Sequence, residues 1–176
     1  MVIQTSSSRL RLPSLNSVAR EARTDQPVIF RFPYGQGRGV GLTYSSRDAA
    51  VRLHRSVELT LTSGPAPGKT GLAAEPVTLT GGSMEYRRDA HTLRLAGPAR
   101  ARQGPRELTA GELALEFDAD LRARRLVASR QPELRSAEPH GLAVLSADEF
   151  VALFHHDGWT ERVLATGNVR GNKKGP

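Results

Sequence analysis

The stretch MEYRRDAHTLRLAGPAR, from Met84 to Arg100, contains two runs of alternating apolar and polar residues joined by a charged segment. Met84 and Tyr86 are the apolar members of the first run, and Leu93 and Leu95 are those of the second. Alternation with a period of two is typical of strands that have one buried and one solvated face. The stretch therefore predicts a β-hairpin whose turn is the charged segment RRDAH.

Three further stretches repeat this organisation: an aromatic residue, a short polar segment with an Asp, and then an apolar strand. They begin at Leu42, Leu115 and Leu153. An Asp suits such a turn because its side chain bonds nearby backbone groups and tolerates tight geometry. The unequal spacing of the units predicts a repeated hairpin with loops of variable length rather than a strict solenoid. The aromatic residues of the four units are Tyr44, Tyr86, Phe117 and Phe154, and the Asps are Asp48, Asp89, Asp120 and Asp157.

The rest of the central region shows the same alternation, for example in VRLHRSVELTL and ELALEF. Helical spacing occurs only in SADEFVALF, from Ser146 to Phe154, where Ser146 and Glu149 could form a capping box. The alignment of this stretch with the other units favours a strand. We therefore predict an all-β fold with a β domain over residues 25–171, a disordered or short helical leader over 1–24, and a tail over 172–176.

The charge pattern favours an anionic partner. The net charge is +7 and, because only three of the 25 basic residues are Lys, the other 22 are Arg. Arginine grips phosphate and carboxylate groups bidentately, although a GC-rich genome would also raise the Arg content. The chain has no cysteine, which excludes disulfides, thiolate catalysis and Cys-based zinc sites.

Three short motifs resemble functional sites but lack the required context. GPAPGKT, from Gly64 to Thr70, is similar to a phosphate-binding loop, yet its prolines have no N–H groups to point at phosphate. GQGRGVG, from Gly35 to Gly41, leads into a strand and not a helix, so we interpret it as a turn before the first strand. HHDG, from His155 to Gly158, places adjacent His side chains on opposite faces of a strand, so we predict a solvated turn and no metal site.

No coherent catalytic triad or metal-binding motif is present in the sequence, and we predict no enzyme activity and no cofactor. Glu112, Glu116 and Asp118 lie among basic neighbours, which favours cross-strand ion pairs. A nucleic-acid-binding β domain remains an alternative because of the charge. It is disfavoured, since single-strand binders interleave aromatic residues with basic ones and the aromatic residues here fall on the apolar face.

The repeats LTGGSMEYRRDAHTLRLAGPA and LTAGELALEFDADLRARRLVA, with the closing ATGNV, resemble the OstA-like family of bacterial lipopolysaccharide-transport proteins, the LptA–LptC family. The resemblance covers about residues 39–171. It implies an antiparallel β-jellyroll or β-taco, a V-shaped open sandwich whose apolar interior holds the acyl chains of lipopolysaccharide. It also implies binding to lipid A, head-to-tail β-augmentation with other transport proteins, and the capacity to form homo-oligomers.

The resemblance and the alternation together define the candidate site. Candidate rim residues for lipid phosphates are Arg87, Arg88, Arg122, Arg124 and Arg125. The candidate inward, lipid-binding residues are Tyr44, Leu53, Val57, Leu59, Met84, Tyr86, Leu93, Leu95, Leu113, Leu115, Phe117, Leu126, Phe154 and Val163.

The expected location follows from the family, because its members carry a signal peptide or an N-terminal membrane anchor. The chain shows neither, and we expect a periplasmic protein that is inner-membrane-anchored in a longer native chain. The alternative to lipid transport is a structural β-scaffold that assembles through its sheet edges.

Overall fold

The computed structural model describes residues 2–5, 8–10, 21–32, 35–62, 75–138, 141–156 and 160–174. These residues contain β-strands and turns but no helix, and the prediction of an all-β, antiparallel fold is confirmed. The strands are β1 (Val2–Thr5), β2 (Ser8–Leu10), β3 (Glu21–Phe32), β4 (Gly35–Ser45), β5 (Ala50–Leu61), β6 (Val77–Gly81), β7 (Ser83–Arg87), β8 (Thr92–Gln103), β9 (Arg106–Phe117), β10 (Ala123–Ser129), β11 (Glu133–Glu138), β12 (Gly141–Ser146), β13 (Glu149–Phe154), β14 (Thr160–Thr166) and β15 (Arg170–Lys174).

The strands form one hydrogen-bonded sheet that is folded along a crease. The longest strands cross the crease, and their two halves pair with different partners. The first half of β8 pairs with β7 and its second half with β6, while β9 pairs with β11 before the crease and with β10 after it. The sheet therefore has two lobes, and the buried side chains of both belong to a single hydrophobic core between them.

The two lobes are defined by the strand halves on either side of the crease. The first lobe contains the turns of the repeated units, and its strands follow the order β3 (first half), β4 (second half), β5 (first half), β7, β8 (first half), β9 (second half), β10, β13 and β14. The second lobe follows the order β2, β1, β3 (second half), β4 (first half), β5 (second half), β6, β8 (second half), β9 (first half), β11, β12 and β15. Nearly every strand therefore lies beside a neighbour in the sequence.

Local backbone features mark the crease on successive strands. Register shifts occur between Thr24 and Pro27 in β3, between Arg38 and Val40 in β4, and between Ala96 and Ala99 in β8. Extra residues in one strand of a pair bend that strand, which lets the ladder turn without losing its partners. Positive φ angles occur nearby at Ser56, Arg130, Gln131, Gly167 and Asn168.

Hydrogen bonds continue across the crease. The Gly82 amide donates to the Ala96 carbonyl at 2.9 Å, and the Gly111 amide donates to the Arg130 carbonyl at 3.0 Å. A side chain at Gly82 would collide with the Gly97 carbonyl oxygen, which explains why glycine occupies this position. These contacts hold the two lobes at a fixed angle and so determine the width of the space between them.

The four predicted units form hairpins, but one turn uses a different Asp from the one expected. Asp48 accepts a hydrogen bond from the buried Ser45 hydroxyl, and Asp89 accepts one from the Ala90 amide. In the third turn Asp118, and not Asp120, accepts the backbone amides of residues 120 and 122. Asp118 was expected in a cross-strand ion pair, but it lies just beyond β9 and therefore faces the turn. Asp157 lies outside the described residues.

The predicted domain boundaries differ from the observed ones. Residues 2–5 and 8–10, expected within a disordered or helical leader, form β1 and β2, because β1 satisfies the free backbone edge of β3. The sheet includes Glu21 and extends to Lys174, beyond both limits of the expected domain and into the expected tail. Residues 11–20 of the expected leader lie outside the described part of the chain.

The prediction for the glycine-rich stretch Gly35–Gly41, before Leu42, was also wrong. It was expected to be a turn, but it forms the first part of β4. Gly37 lies against the aromatic ring of Phe30 and the side chain of Leu59, and an added Cβ would overlap both. The glycines therefore give the core room within a strand. The GPAPGKT stretch lies outside the described residues, whereas Ser146–Phe154 contains a strand, β13, as favoured.

We predict that Gly82→Ala lowers the free energy of unfolding by about 1–3 kcal/mol, the usual cost of an overpacked position. The methyl group would meet the Gly97 backbone, which cannot move without breaking the crease hydrogen bonds. The matched control is Gly97→Ala, because an added Cβ there has its nearest neighbour at 3.7 Å. Urea unfolding of both variants checks the prediction, and equal losses would contradict it.

Candidate functional site: the space between the lobes

Side chains on the inner face of the first lobe form two continuous rows that run across the strands. We call the row nearer the crease the crease row and the other the mouth row. The crease row is Leu42, Leu53, Met84, Leu95, Leu113, Ala128, Phe150 and Ala165. The mouth row is Tyr44, Val51, Tyr86, Leu93, Leu115, Leu126, Ala152 and Val163.

A matching row crosses the inner face of the second lobe. This second-lobe row is Phe30, Gly37, Leu59, Leu79, Ala101, Leu108, Leu134, Leu145 and Gly171. The register also places Ile3 of β1 opposite Phe30. The rows of the two lobes contribute to the same core.

Most of the predicted lipid-binding residues lie in a closed core. Leu59, Leu95 and Leu113 have no exposed surface. Large aliphatic side chains from both lobes meet here and fill the space, as close-packed protein interiors do. An open groove along the whole sheet, as the resemblance implied, is therefore not observed in this part. The buried predicted residues are Leu53, Val57, Leu59, Met84, Leu93, Leu95, Leu113, Leu115 and Leu126.

The rows lose their cover at both edges of the sheet: Ala22 of β3, opposite Tyr44, is exposed, and the same holds towards β14 and β15. In the crease row Phe150 is buried and its neighbour Ala165 only partly so, while in the mouth row Leu126 is 7% exposed and Val163 is 50% exposed. Leu145 of the second-lobe row is also only partly buried, and Gly171 beside it is exposed. The last positions of these rows are Ala165, Val163 and Gly171, and the inner face is accessible to solvent there. We call this accessible part of the inner face the β14 end.

The four aromatic residues of the repeats are partly buried near the turns of the first lobe. Tyr86 and Phe117 pack edge to face, with 6.4 Å between the ring centroids. Burial raises the pKa of the Tyr86 hydroxyl, and the positive charge of Arg88 opposes that rise. Tyr44 and Tyr86 are far from the β14 end, whereas Phe154, in β13, lies close to it.

The predicted phosphate-contacting rim is only partly suited to binding an anion. Arg87 pairs with Asp89 at 3.0 Å and Arg125 pairs with Glu116 at 2.9 Å, so both charges have internal partners. Arg122 donates to the His156 carbonyl at 3.2 Å, which connects the β9–β10 turn to the end of β13. Arg124 is exposed in the bulge of β10, and Arg88 is exposed in the β7–β8 turn.

Two basic residues that the sequence analysis missed lie near the mouth of the second lobe. Arg106, Ser136 and Lys173 occupy one register row with Gln103 and Ala143, two positions from the second-lobe row. Both basic residues are exposed. The signal for Arg106 in the sequence is its spacing: it lies two residues before the apolar Leu108 and therefore on the same face of β9.

The outer faces are polar, and several of their charges form ion pairs between strands. The expected cross-strand ion pairs of Glu112 and Glu116 are present: Arg130 is 3.1 Å from Glu112, and Arg125 pairs with Glu116. Arg52 and Glu85 form another pair at 2.7 Å. A depression of about 680 Å³ lies beside the crease, where Ile29, Val40 and Pro98 are among the lining residues.

The histidines form no metal site within the described residues, where no group of three or more His, Cys, Asp or Glu side chains could hold an ion. His155 and His156 are neighbours, with 3.8 Å between their ring centroids, and the remainder of HHDG lies outside the described residues. The described parts of the chain also contain no helix that could cross a membrane.

Comparisons with known proteins identify no relative: no family model, no curated protein and no solved structure matches the chain. Any statement about function therefore depends on the geometry of the chain itself and on the resemblance of its repeats.

We predict that Leu113→Ala lowers the free energy of unfolding by about 2–5 kcal/mol, because it leaves a cavity in a filled core. Val163→Ala, at the half-exposed end of the neighbouring row, should change it by less than about 0.5 kcal/mol. Urea unfolding of the two variants measures the difference. A small loss for Leu113→Ala would show that the middle of the space between the lobes is not a packed core.

We also predict that the pKa of the Asp89 carboxyl lies below its usual value of 3.8, because Arg87 donates a hydrogen bond to it. A carboxyl whose pKa is lower in the folded state stabilises the fold above its unfolded pKa. That contribution is lost as the pH falls through the folded pKa. NMR titration should show the pKa returning towards the usual value in Arg87→Gln and staying low in the control Arg88→Gln. No change in Arg87→Gln would contradict the assignment.

Proposed function

We propose that this chain binds the acyl chains of lipopolysaccharide, through its lipid A portion, at the β14 end and takes part in lipopolysaccharide export. One observation carries the proposal: inner rows that are closed over most of their length lose their cover at β14. Val163 is half exposed although its register position belongs to a row that is otherwise apolar. Lipid transport needs such a place, where an apolar chain can enter from the solvent and leave again.

The energetics suit reversible binding without a reaction. Removing one methylene group from water contributes roughly 0.8 kcal/mol, so a few methylene groups beside Val163, Ala165 and Leu145 supply useful affinity. The small residues at the ends of the rows leave room that Leu side chains occupy elsewhere. The fully buried middle of the core would hold the lobes together while the end accepts the ligand.

Basic residues on the mouth side of the two lobes suit the anionic head of the lipid. Arg106 and Lys173 are in the row near the mouth of the second lobe, and Arg122 is held beside β13 in the first lobe. Guanidinium and ammonium groups bind phosphate through charge-assisted hydrogen bonds. Arg87 and Arg125, proposed earlier as phosphate contacts, each have a carboxylate partner.

The wider setting is proposed from the resemblance to the OstA-like family. It suggests the periplasm as the location, attachment to the inner membrane, and partners that are other lipopolysaccharide-transport proteins joined by β-augmentation. No enzyme activity is included in the proposal.

A second candidate function is a structural scaffold that assembles through sheet edges without lipid. The closed middle of the core favours this candidate, because a fully packed interior needs no ligand. A nucleic-acid-binding role has less support, since several outer-face arginines have glutamate partners and are not directed at a phosphate backbone.

Site-specific photo-crosslinking tests the lipid proposal. A photoreactive residue at Val163 should cross-link to lipopolysaccharide, and one at Leu95 should not, because Leu95 has no exposed surface. The experiment uses the full chain incubated with purified lipopolysaccharide, and gel mobility with lipid staining detects the adduct. Ile29 provides a matched control, since it is also 50% exposed but lies on the outer face at the opposite end of the sheet.

Equal labelling at Val163 and Ile29 would indicate general adsorption, and no labelling at Val163 would remove the lipid proposal and leave the scaffold.

A double variant, Arg106→Gln with Lys173→Gln, should weaken capture of lipopolysaccharide more than capture of a lipid without phosphate.

A further inference from the structure

The open edges of the sheet differ greatly in how well they could accept another strand. An unpaired strand edge is a template for pairing, and proteins protect such edges with short strands, charges, prolines or extra chain segments. In the described parts of the chain the sheet ends at β2 and at the first half of β3 on one side, and at β14 and β15 on the other.

The N-terminal side carries its own blocking segment. The β1–β2 hairpin pairs with β3 from Val28 to Arg31, and β2, only three residues long, becomes the outermost strand. The rest of that side is the first half of β3, which contains Glu21, Arg23 and Asp25, all exposed, before Pro27. Charged residues and proline disfavour the addition of a strand at an edge.

The two edges on the other side are unlike each other. β15 consists of Arg170, Gly171, Asn172, Lys173 and Lys174, and lysine is the residue that most often protects an edge. β14 has no lysine or proline; beside the exposed Glu161 and Arg162 it carries two exposed aliphatic side chains, Val163 at 50% and Leu164 at 44%. These two residues alternate between the inner and outer faces, so an added strand would bury apolar surface on both.

We propose that β14 is a self-association edge, on which a second copy of this chain docks its own β14 in antiparallel pairing, while the β1–β2 hairpin blocks growth from the other side. When each copy has one competent edge, the closed homo-assembly is a two-fold dimer, because a head-to-tail array would need two. The proposal goes beyond lipid binding and does not depend on it, and a β14 paired with a second copy is not available for β-augmentation with another transport protein.

Charge restricts the register of the pairing. In a two-fold antiparallel pair the residue at the centre lies opposite its own copy. Centring on Glu161 or Arg162 would place like charges opposite each other, which is destabilising. Centring on Val163 or Leu164 places aliphatic side chains opposite each other and gives neither charge a like-charged neighbour.

The cysteine-free sequence allows a direct test of symmetry. Single variants Val163→Cys and Leu164→Cys, made in the full chain, should give a disulfide-linked dimer with a mild oxidant in at least one case. Directly paired Cα atoms in antiparallel strands are about 4.5–5.5 Å apart, within disulfide range. Val169→Cys is the control, because Val169 is also 50% exposed but lies outside β14. Equal cross-linking in all three, or none in the two β14 variants, overturns the proposal.

Light scattering coupled to size exclusion measures the assembly itself. The unmodified chain should approach the mass of a dimer with rising concentration, and Leu164→Lys should remain a monomer while Val169→Lys still dimerises. A chain that stays monomeric, or that grows steadily beyond a dimer, contradicts the proposal.

Leu164 is on the outer face, so lipid cross-linking at Val163 should persist in Leu164→Lys. Loss of that cross-linking would count against the lipid site and not against the edge.

A separate experiment tests whether the β1–β2 hairpin blocks growth of the assembly. Replacing both Ile3 and Gln4 with proline removes two backbone N–H donors from β1. The ladders between β1 and its neighbouring strands then lose at least one hydrogen bond. The full chain with both prolines should form species larger than a dimer, because the uncovered β3 edge can now accept β14. The strand-compatible pair Ile3→Val and Gln4→Thr should remain dimeric. If the proline variant also stops at a dimer, the hairpin is not what limits growth.

Discussion

Continuous backbone hydrogen bonding through a bend is the constraint on which this molecule depends. Each long strand must leave one lobe and enter the other without exposing buried polar groups, since an unpaired buried N–H or C=O is costly. Register shifts, positive φ angles and the amide of Gly82 together satisfy that requirement along the crease. The angle between the lobes, and therefore the shape of the space between them, follows from these backbone contacts.

The core is a consequence of that bend and of strict alternation. Because inner positions recur every second residue, the aliphatic rows align from strand to strand, and Leu95 and Leu113 become fully buried once the second lobe covers them. The outer positions carry arginine and glutamate in cross-strand pairs. Exposed ion pairs of this kind contribute little to stability, so the filled core must provide most of it.

The strands and their inner faces were predictable from the sequence, because a period of two is a local signal. Leu93 and Leu95 illustrate this: their spacing predicted the face, and the structure buries both. The opening at Val163 was not predictable, since Val163 has the same spacing as Leu126 and differs only in what covers it. The strands at 2–5 and 8–10 were missed for a related reason. Short segments form strands when an existing edge satisfies their backbone, and that edge is distant in sequence.

The order of the strands has a consequence for the history of such a chain. The β7–β8 hairpin is hydrogen-bonded only to the units beside it, and it reaches the second lobe through the crease like its neighbours. A gene duplication that inserts one more hairpin of this kind would add two strands at spacings of about 4.8 Å and leave both ends of the sheet unchanged. The length of the sheet can therefore change in this architecture without any change to its two dissimilar ends.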